Sequence, residues 1–182
     1  MRVGVIAAGL CLLALQGCST YAVQRYSASA ESVEKLRSMA PATARVGVFT
    51  MAGELRKEIT CRAVGPIATI DGETFPEYTR KALSSEMRMA GVYSEAAPTT
   101  ISGKLDQLDF SSTGGYWDIA MTISSSNGEK VSKSIRHAYP SNFIGEIACN
   151  QTAQAFMPAV QDLIGATISD PSFSRMLAPA VK

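Results

Sequence analysis

Histidine and tryptophan each occur once in the 182 residues, and charge nearly cancels, with 17 Lys and Arg against 16 Asp and Glu. Each shortage excludes something. A single His rules out every metal centre that needs two, and it leaves His137 as the one candidate for a His-based relay. A net charge of +1 lacks the basic excess with which proteins hold a phosphate backbone, so no nucleic acid is expected as a partner. No Gly-x-Ser-x-Gly elbow, His-Glu-x-x-His helix, Walker loop or Cys-x-x-Cys pair occurs, and no cofactor or metal is expected. Gly114-Gly115 precedes a strand pattern and not a helix, which makes it a turn and no phosphate cradle. The apolar run Val3–Leu15 would extend about 20 Å as a helix, short of the roughly 30 Å hydrocarbon core of a bilayer.

What is present begins with that run. Arg2 is the only charge in residues 1–18, and Val3–Leu15 is followed by Gln16-Gly17-Cys18. A basic start, a short apolar stretch and a small residue before a break describe a secretory signal peptide. Leu15-Gln16-Gly17-Cys18 resembles the bacterial lipobox, Leu-x-Gly-Cys. That resemblance implies a thioether-linked diacylglyceryl group on Cys18, cleavage between Gly17 and Cys18, and acylation of the new amino group. At about 0.8 kcal/mol per buried CH₂, two or three chains make a stable membrane anchor. Ser19, where an Asp favours inner-membrane retention in Gram-negative lipoproteins, implies transfer to the inner leaflet of the outer membrane, facing the periplasm. The domain scheme is then 1–17 signal peptide, 18–28 tether and 29–182 a single domain.

Cleavage leaves 16 basic and 16 acidic side chains, and so no net electrostatic pull on lipid or nucleic acid. Of the four cysteines, Cys11 leaves with the signal and Cys18 is alkylated. Cys61 and Cys149 are expected to form a disulfide in an oxidising compartment, the alternative being two buried free thiols.

Along the rest of the chain, a short helix opens at Ser29-Ala30-Glu31, carries Val33, Leu36 and Met39 on one face and stops at Pro41. Arg45–Met51 reads as the first strand, and Ile59–Val64 as a second stopped by Gly65-Pro66. Thr74-Phe75-Pro76-Glu77 is a helix start with a capping-box pattern. Phe75, Tyr78, Ala82, Leu83, Met87 and Ala90 form its core stripe, and Gly91 its stop. Ile101–Phe110 alternates, then changes phase, which predicts a bulge near Asp106-Gln107. Trp117, Ile119, Met121 and Ile123 alternate cleanly before Asn127-Gly128, a hairpin signal suited to a type I′ turn, with Val131–Tyr139 as the return strand. A long apolar stripe runs from Ile147 to Ile164, with Pro158 expected to kink or divide it, and Asp170-Pro171 starts a last turn or short helix. The order predicts an α+β fold, an antiparallel sheet of about four to five strands with two main helices on one face.

Candidate chemistry is thin. His137 could serve as a general base, although a strand His without a motif is usually structural. Asp106 and Asp109 lack the loop spacing of a Ca²⁺ site. Trp117 could be an exposed partner anchor but continues a buried alternation. The Met residues fall mostly on core stripes. The chain resembles small envelope lipoproteins of Gram-negative bacteria, including assembly and transport-auxiliary types. The likeness lies in Leu15–Cys18, in Ala148-Cys149, Ala153, Phe156 and Ala159-Val160-Gln161-Asp162-Leu163, and in Asp170-Pro171-Ser172-Phe173. It implies a lipid-anchored, non-catalytic protein that binds or scaffolds another envelope component. Two other readings stand beside it. One is a module for lipid or another apolar ligand. The other is a hydrolase pairing His137 with a serine from Ser124–Ser126, Ser132 or Ser134, which needs a His–Ser hydrogen bond and an acid behind the His.

Overall fold

A computed structural model describes residues 20–179. The expected signal peptide (1–17) and the expected lipidation and cleavage positions Gly17 and Cys18 lie outside those residues. The α+β class is as expected, but the strands divide into two sheets. One has the order β1(Tyr21–Val23), β4(Gly65–Thr69), β3(Glu58–Cys61), and the other β2(Arg45–Met51), β5(Thr100–Ser111), β6(Tyr116–Ser125), β7(Lys130–Ala138). Neither is wholly antiparallel, because β1 runs parallel to β4 and β2 parallel to β5. The described residues also hold four helices: α1(Ala30–Arg37), α2(Phe75–Ala90), α3(Gly145–Ile168) and α4(Pro171–Met176).

The larger sheet follows from its alternation. Trp117, Ile119, Met121 and Ile123 are buried, as are Ile101 and Leu105 on the neighbouring strand β5. The β5–β6 register shifts between Leu105 and Gln107, and this bulge returns Leu108 to the core face. Another irregularity lies between Val46 and Phe49 in β2. There the Phe49 ring occupies the space above Gly103, where a Cβ would sit 2.5 Å from the ring. The β6–β7 turn departs from the predicted type I′. Only Gly128 has positive φ there, and Ser125 N–H bonds Glu129 C=O across three intervening residues, the type I turn plus left-handed Gly of a longer loop. The reason is tertiary. The Asn127 amide donates to the carbonyls of Arg175 and Ala178, both at 2.8 Å, fastening the hairpin tip to α4.

Helix α2 begins and ends as its sequence dictates. Thr74 Oγ1 accepts from Glu77 N–H, and Gly91 adopts the left-handed conformation. The Glu77 carboxylate does not close the capping box, since it pairs with Arg80 at 2.7 Å. Helix α3 runs unbroken through Pro158. It packs against β6 and β7 on one side and β1 and β4 on another. Its buried positions are rich in alanine, Ala148, Ala153, Ala155 and Ala159, and these small side chains let backbone elements approach closely. Trp117 is wholly buried between this helix and the sheet, and its indole N–H donates to Thr152 C=O at 2.8 Å.

Residues 21–28 are not a tether. Tyr21–Val23 is strand β1, with Tyr21 and Val23 buried. Gln24 C=O accepts from Tyr78 OH at 2.8 Å, and Arg25 pairs with Asp71. A three-residue strand is too short to show a period, and its polar neighbours conceal it. Gly65-Pro66, read as a stop, instead opens β4. Pro66 lies before the stretch Ile67–Thr69 that pairs with β1, so its missing N–H costs no bond there.

Candidate functional site

The Cys61–Cys149 pair and the strained β3–β4 turn lie together at one end of the domain. The turn between β3 and β4 carries Arg62 and Ala63 at φ 45° and 54°, a region costly for residues with a Cβ. Arg62 holds it in place. Its Nε donates to Ser112 Oγ and its Nη2 to Ser112 C=O, both at 2.8 Å, while Nη1 reaches the carbonyls of Asn142 and Phe143. One guanidinium therefore ties the β3–β4 turn to the β5–β6 turn and to the loop that enters α3. Nothing in the sequence marked Arg62, because its partners are hydroxyl and main-chain oxygens 50 and more residues away.

The predicted disulfide stands beside it. Cys61 and Cys149 are bonded, with Cα atoms 5.9 Å apart and both residues fully buried. The bond joins the end of β3 to the first turns of α3. Gly115 closes the same end. It has φ 68°, and a Cβ on it would meet Tyr139 C=O at 2.3 Å, so only glycine fits. A small cleft of about 190 Å³ opens among Arg62, Thr113, Ser141, Asn142 and Phe143.

His137 lies on the helix-facing side of β7, where its Nδ1 meets Asp162 Oδ2 at 2.7 Å. An acid thus stands behind it, but no serine is hydrogen-bonded to it among the described residues. Ser132 and Ser134 are exposed on the opposite face, as strand alternation requires. Ser125 Oγ donates to Met176 C=O, and Ser126 Oγ accepts from Thr100 N–H. The serine–histidine pairing that hydrolysis needs is not assembled. Asp106 accepts from Thr122 Oγ1 and lies 3.4 Å from Lys104, and Asp109 accepts from Gln107. No cluster of His, Cys, Asp or Glu able to hold a metal occurs among the described residues.

A buried acid that the sequence did not reveal sits on α2. Glu86 is fully buried and accepts from Tyr26 OH and, at 3.2 Å, from Ser29 N–H, while its second oxygen has no partner. Burial pushes its carboxyl up from the usual range, against the lowering effect of those bonds, and burial together with Glu86 pushes the Tyr26 phenol up. A carboxyl raised in the folded state binds more protons there than in the unfolded chain. Stability therefore falls as pH rises from the ordinary glutamate range to the raised value. Glu86→Gln should flatten that slope, as read from urea midpoints between about pH 4 and about pH 8.

Among the described residues the larger sheet leaves one face uncovered, since α2 and α3 pack on the other. Ser102, Lys104, Thr122, Ser124 and Lys130 line a shallow depression of about 350 Å³ on it. A second groove of about 410 Å³ between α1 and α3 is lined by polar groups, including Glu31, Lys35, Gln161 and Asp162.

No family model matches the chain, and no curated protein matches it. Protein XCC0632 from Xanthomonas campestris, with family model DUF330, shares 12% identity, covering 82% of this chain and 95% of that one at a TM-score of 0.49. A second solved structure, of an uncharacterized protein, shares 8% identity over 81% of this chain and 99% of that one at a TM-score of 0.45. Likenesses this distant say nothing of partner, ligand or chemistry.

Proposed function

We propose that this is a lipid-anchored, periplasm-facing envelope protein that performs no catalysis and binds or scaffolds another envelope component. The observation that carries the reading is where the fold begins. Strand β1 starts at Tyr21, immediately after the Leu15–Cys18 motif, so cleavage before Cys18 leaves every described element intact and sets the lipid directly against the domain. The Cys61–Cys149 bond supports an oxidising compartment. No helix among the described residues is long and apolar enough to cross a membrane. The uncovered sheet face offers the partner a polar surface of Ser and Thr side chains interspersed with Lys104 and Lys130. An acyl-binding module is the weaker reading, because the α1–α3 groove is polar-lined and ligand pockets for apolar molecules are not.

Cys18→Ala should block processing and lipid labelling. A variant still cleaved after Gly17 and still partitioning with membranes would end the lipobox reading. His137→Ala should cost about 1 kcal/mol of stability, as the loss of one side-chain hydrogen bond does, and leave every cellular phenotype unchanged. A lost phenotype with stability intact would revive catalysis. Crosslinking in intact cells from positions on the uncovered face, followed by identification of the product, tests the partner.

A further inference from the structure

Phe143 is fully exposed, and Ile144 and Ile147 beside it are 56% and 42% exposed. Three large apolar side chains in five residues, at the loop and first turn of α3, make a contiguous corner. The other exposed large apolar residues, Val48, Leu55, Ile70 and Met89, are scattered over other elements. Scattered ones are ordinary, whereas a cluster calls for a physical reason.

The path of the chain supplies one. Ala22 C=O accepts from Gln154 at 3.4 Å and Ser27 C=O from Gln161 at 2.7 Å. Residues 22–27 therefore run beside α3 in the same direction as the helix. Followed backwards, the chain heads for the helix start. Ile147 precedes Gln154 by seven residues, about 10 Å of helix. The register Tyr21↔Ile67 gives the same answer, since it puts the entering end at the Gly65 side of β4, by the Arg62 turn. That turn is bonded to Phe143 C=O. Two peptide units separate Thr20 from Cys18, a reach of at most about 7 Å.

We propose that Phe143, Ile144 and Ile147 insert into the lipid surface beside the anchor, so that the domain meets the bilayer at two points with a fixed orientation. This rests on the reading of Cys18 as lipidated. The bilayer is the occupant because the anchor would hold this corner against it at high effective concentration, where even a weak apolar contact is populated. The corner is also rigid. Arg62 bonds the loop on one side and Cys149 bonds the helix on the other, so little ordering entropy opposes insertion. Charge permits it as well. Arg62 makes no ion pair among the described residues, and Glu146 is the one acid in the first turn of α3.

The test uses the full chain, extracted from the membranes of cells that make it. It is reconstituted in vesicles of phosphatidylethanolamine with a minority of phosphatidylglycerol, a fraction of the lipid brominated along its acyl chains. Phe143→Trp adds one indole, and the unsubstituted chain reports Trp117 alone, which is wholly buried. Met89→Trp places an indole at the C-terminal end of α2. That end adjoins the start of β2 through the Ala44–Val92 bond, at the opposite end of the larger sheet. The added emission of Phe143→Trp should move to the blue and be mostly quenched, and that of Met89→Trp should be neither. Emission of Phe143→Trp that is unshifted and unquenched would overturn the proposal. So would a blue shift without quenching, which means that a protein partner or second copy covers the corner. The mass of the Cys18 peptide reports separately on the anchor. Unmodified Cys18 with quenching keeps the membrane contact and removes the lipidation reading, whereas modified Cys18 without quenching does the reverse.

Discussion

Cys61→Ser, Cys149→Ser and the double substitution should all lower the unfolding midpoint by nearly the same amount, because one broken bond is lost in each. The separation of 88 residues gives about 4.6 kcal/mol from the restricted unfolded chain, an upper figure that residual structure in that state reduces. Against a total of roughly 5–15 kcal/mol for a domain, this is a large share. The bond also fastens β3 to α3 beside the Arg62 turn, so its loss should loosen that end first. Denaturant titration of the three variants, and of the unsubstituted chain under strong reductant, checks both points. Amide exchange should show Cys61–Gly65 and the first turns of α3 losing protection before the larger sheet does. Unequal shifts among the three variants would mean that a Cys contributes through packing and not through the bond.

Trp117→Ala should be comparably damaging, at about 3–5 kcal/mol. The ring joins three layers. It lies 4.9 Å from the Phe110 centroid on β5 and 4.9 Å from Phe156 on α3, and Phe156 in turn meets Phe75 and Tyr78 of α2 at 5.1 and 5.3 Å. Removing it empties the point where sheet and both main helices meet. Trp117→Phe separates the contributions. It keeps an aromatic ring but takes the donor from Thr152 C=O, and it should cost distinctly less than the alanine change. Circular dichroism serves as the readout, since the fluorophore itself is lost.

These two positions also show what a sequence reveals. Trp117 sits in a ten-residue strand buried on one face only, and one-sided burial is what writes a period of two. The phase change at Asp106-Gln107 was legible for the same reason, because a bulge is the only way to keep Leu105 and Leu108 on one face. Helix α2 carried both its caps in its own residues. The disulfide followed from which cysteines survive in an oxidising compartment, although their 5.9 Å approach is a property of the fold. What stayed hidden depends on distant partners. The parallel pairings of β1 with β4 and β2 with β5 join segments with no turn between them. The hairpin took a longer loop because Asn127 is claimed by α4. Glu86 looked like one more polar residue of α2 until residues 26–29 were found folded over it. Ile147, counted with the core stripe, faces outward because the helix start lies at the rim of the domain.

The short first strand has a mechanical consequence. A pull on the chain upstream of Thr20 acts along the axis of β1, and because β1 lies parallel to β4 with its register at Tyr21↔Ile67 through Val23↔Thr69, the load falls on those bonds side by side, in shear. It passes from β4 to β3 across their antiparallel pairing, through the covalent Cys61–Cys149 link, and into the 24-residue helix at the centre of the domain. Tension applied upstream of Thr20 is thus delivered through the smaller sheet to α3, and the larger sheet is not part of that path.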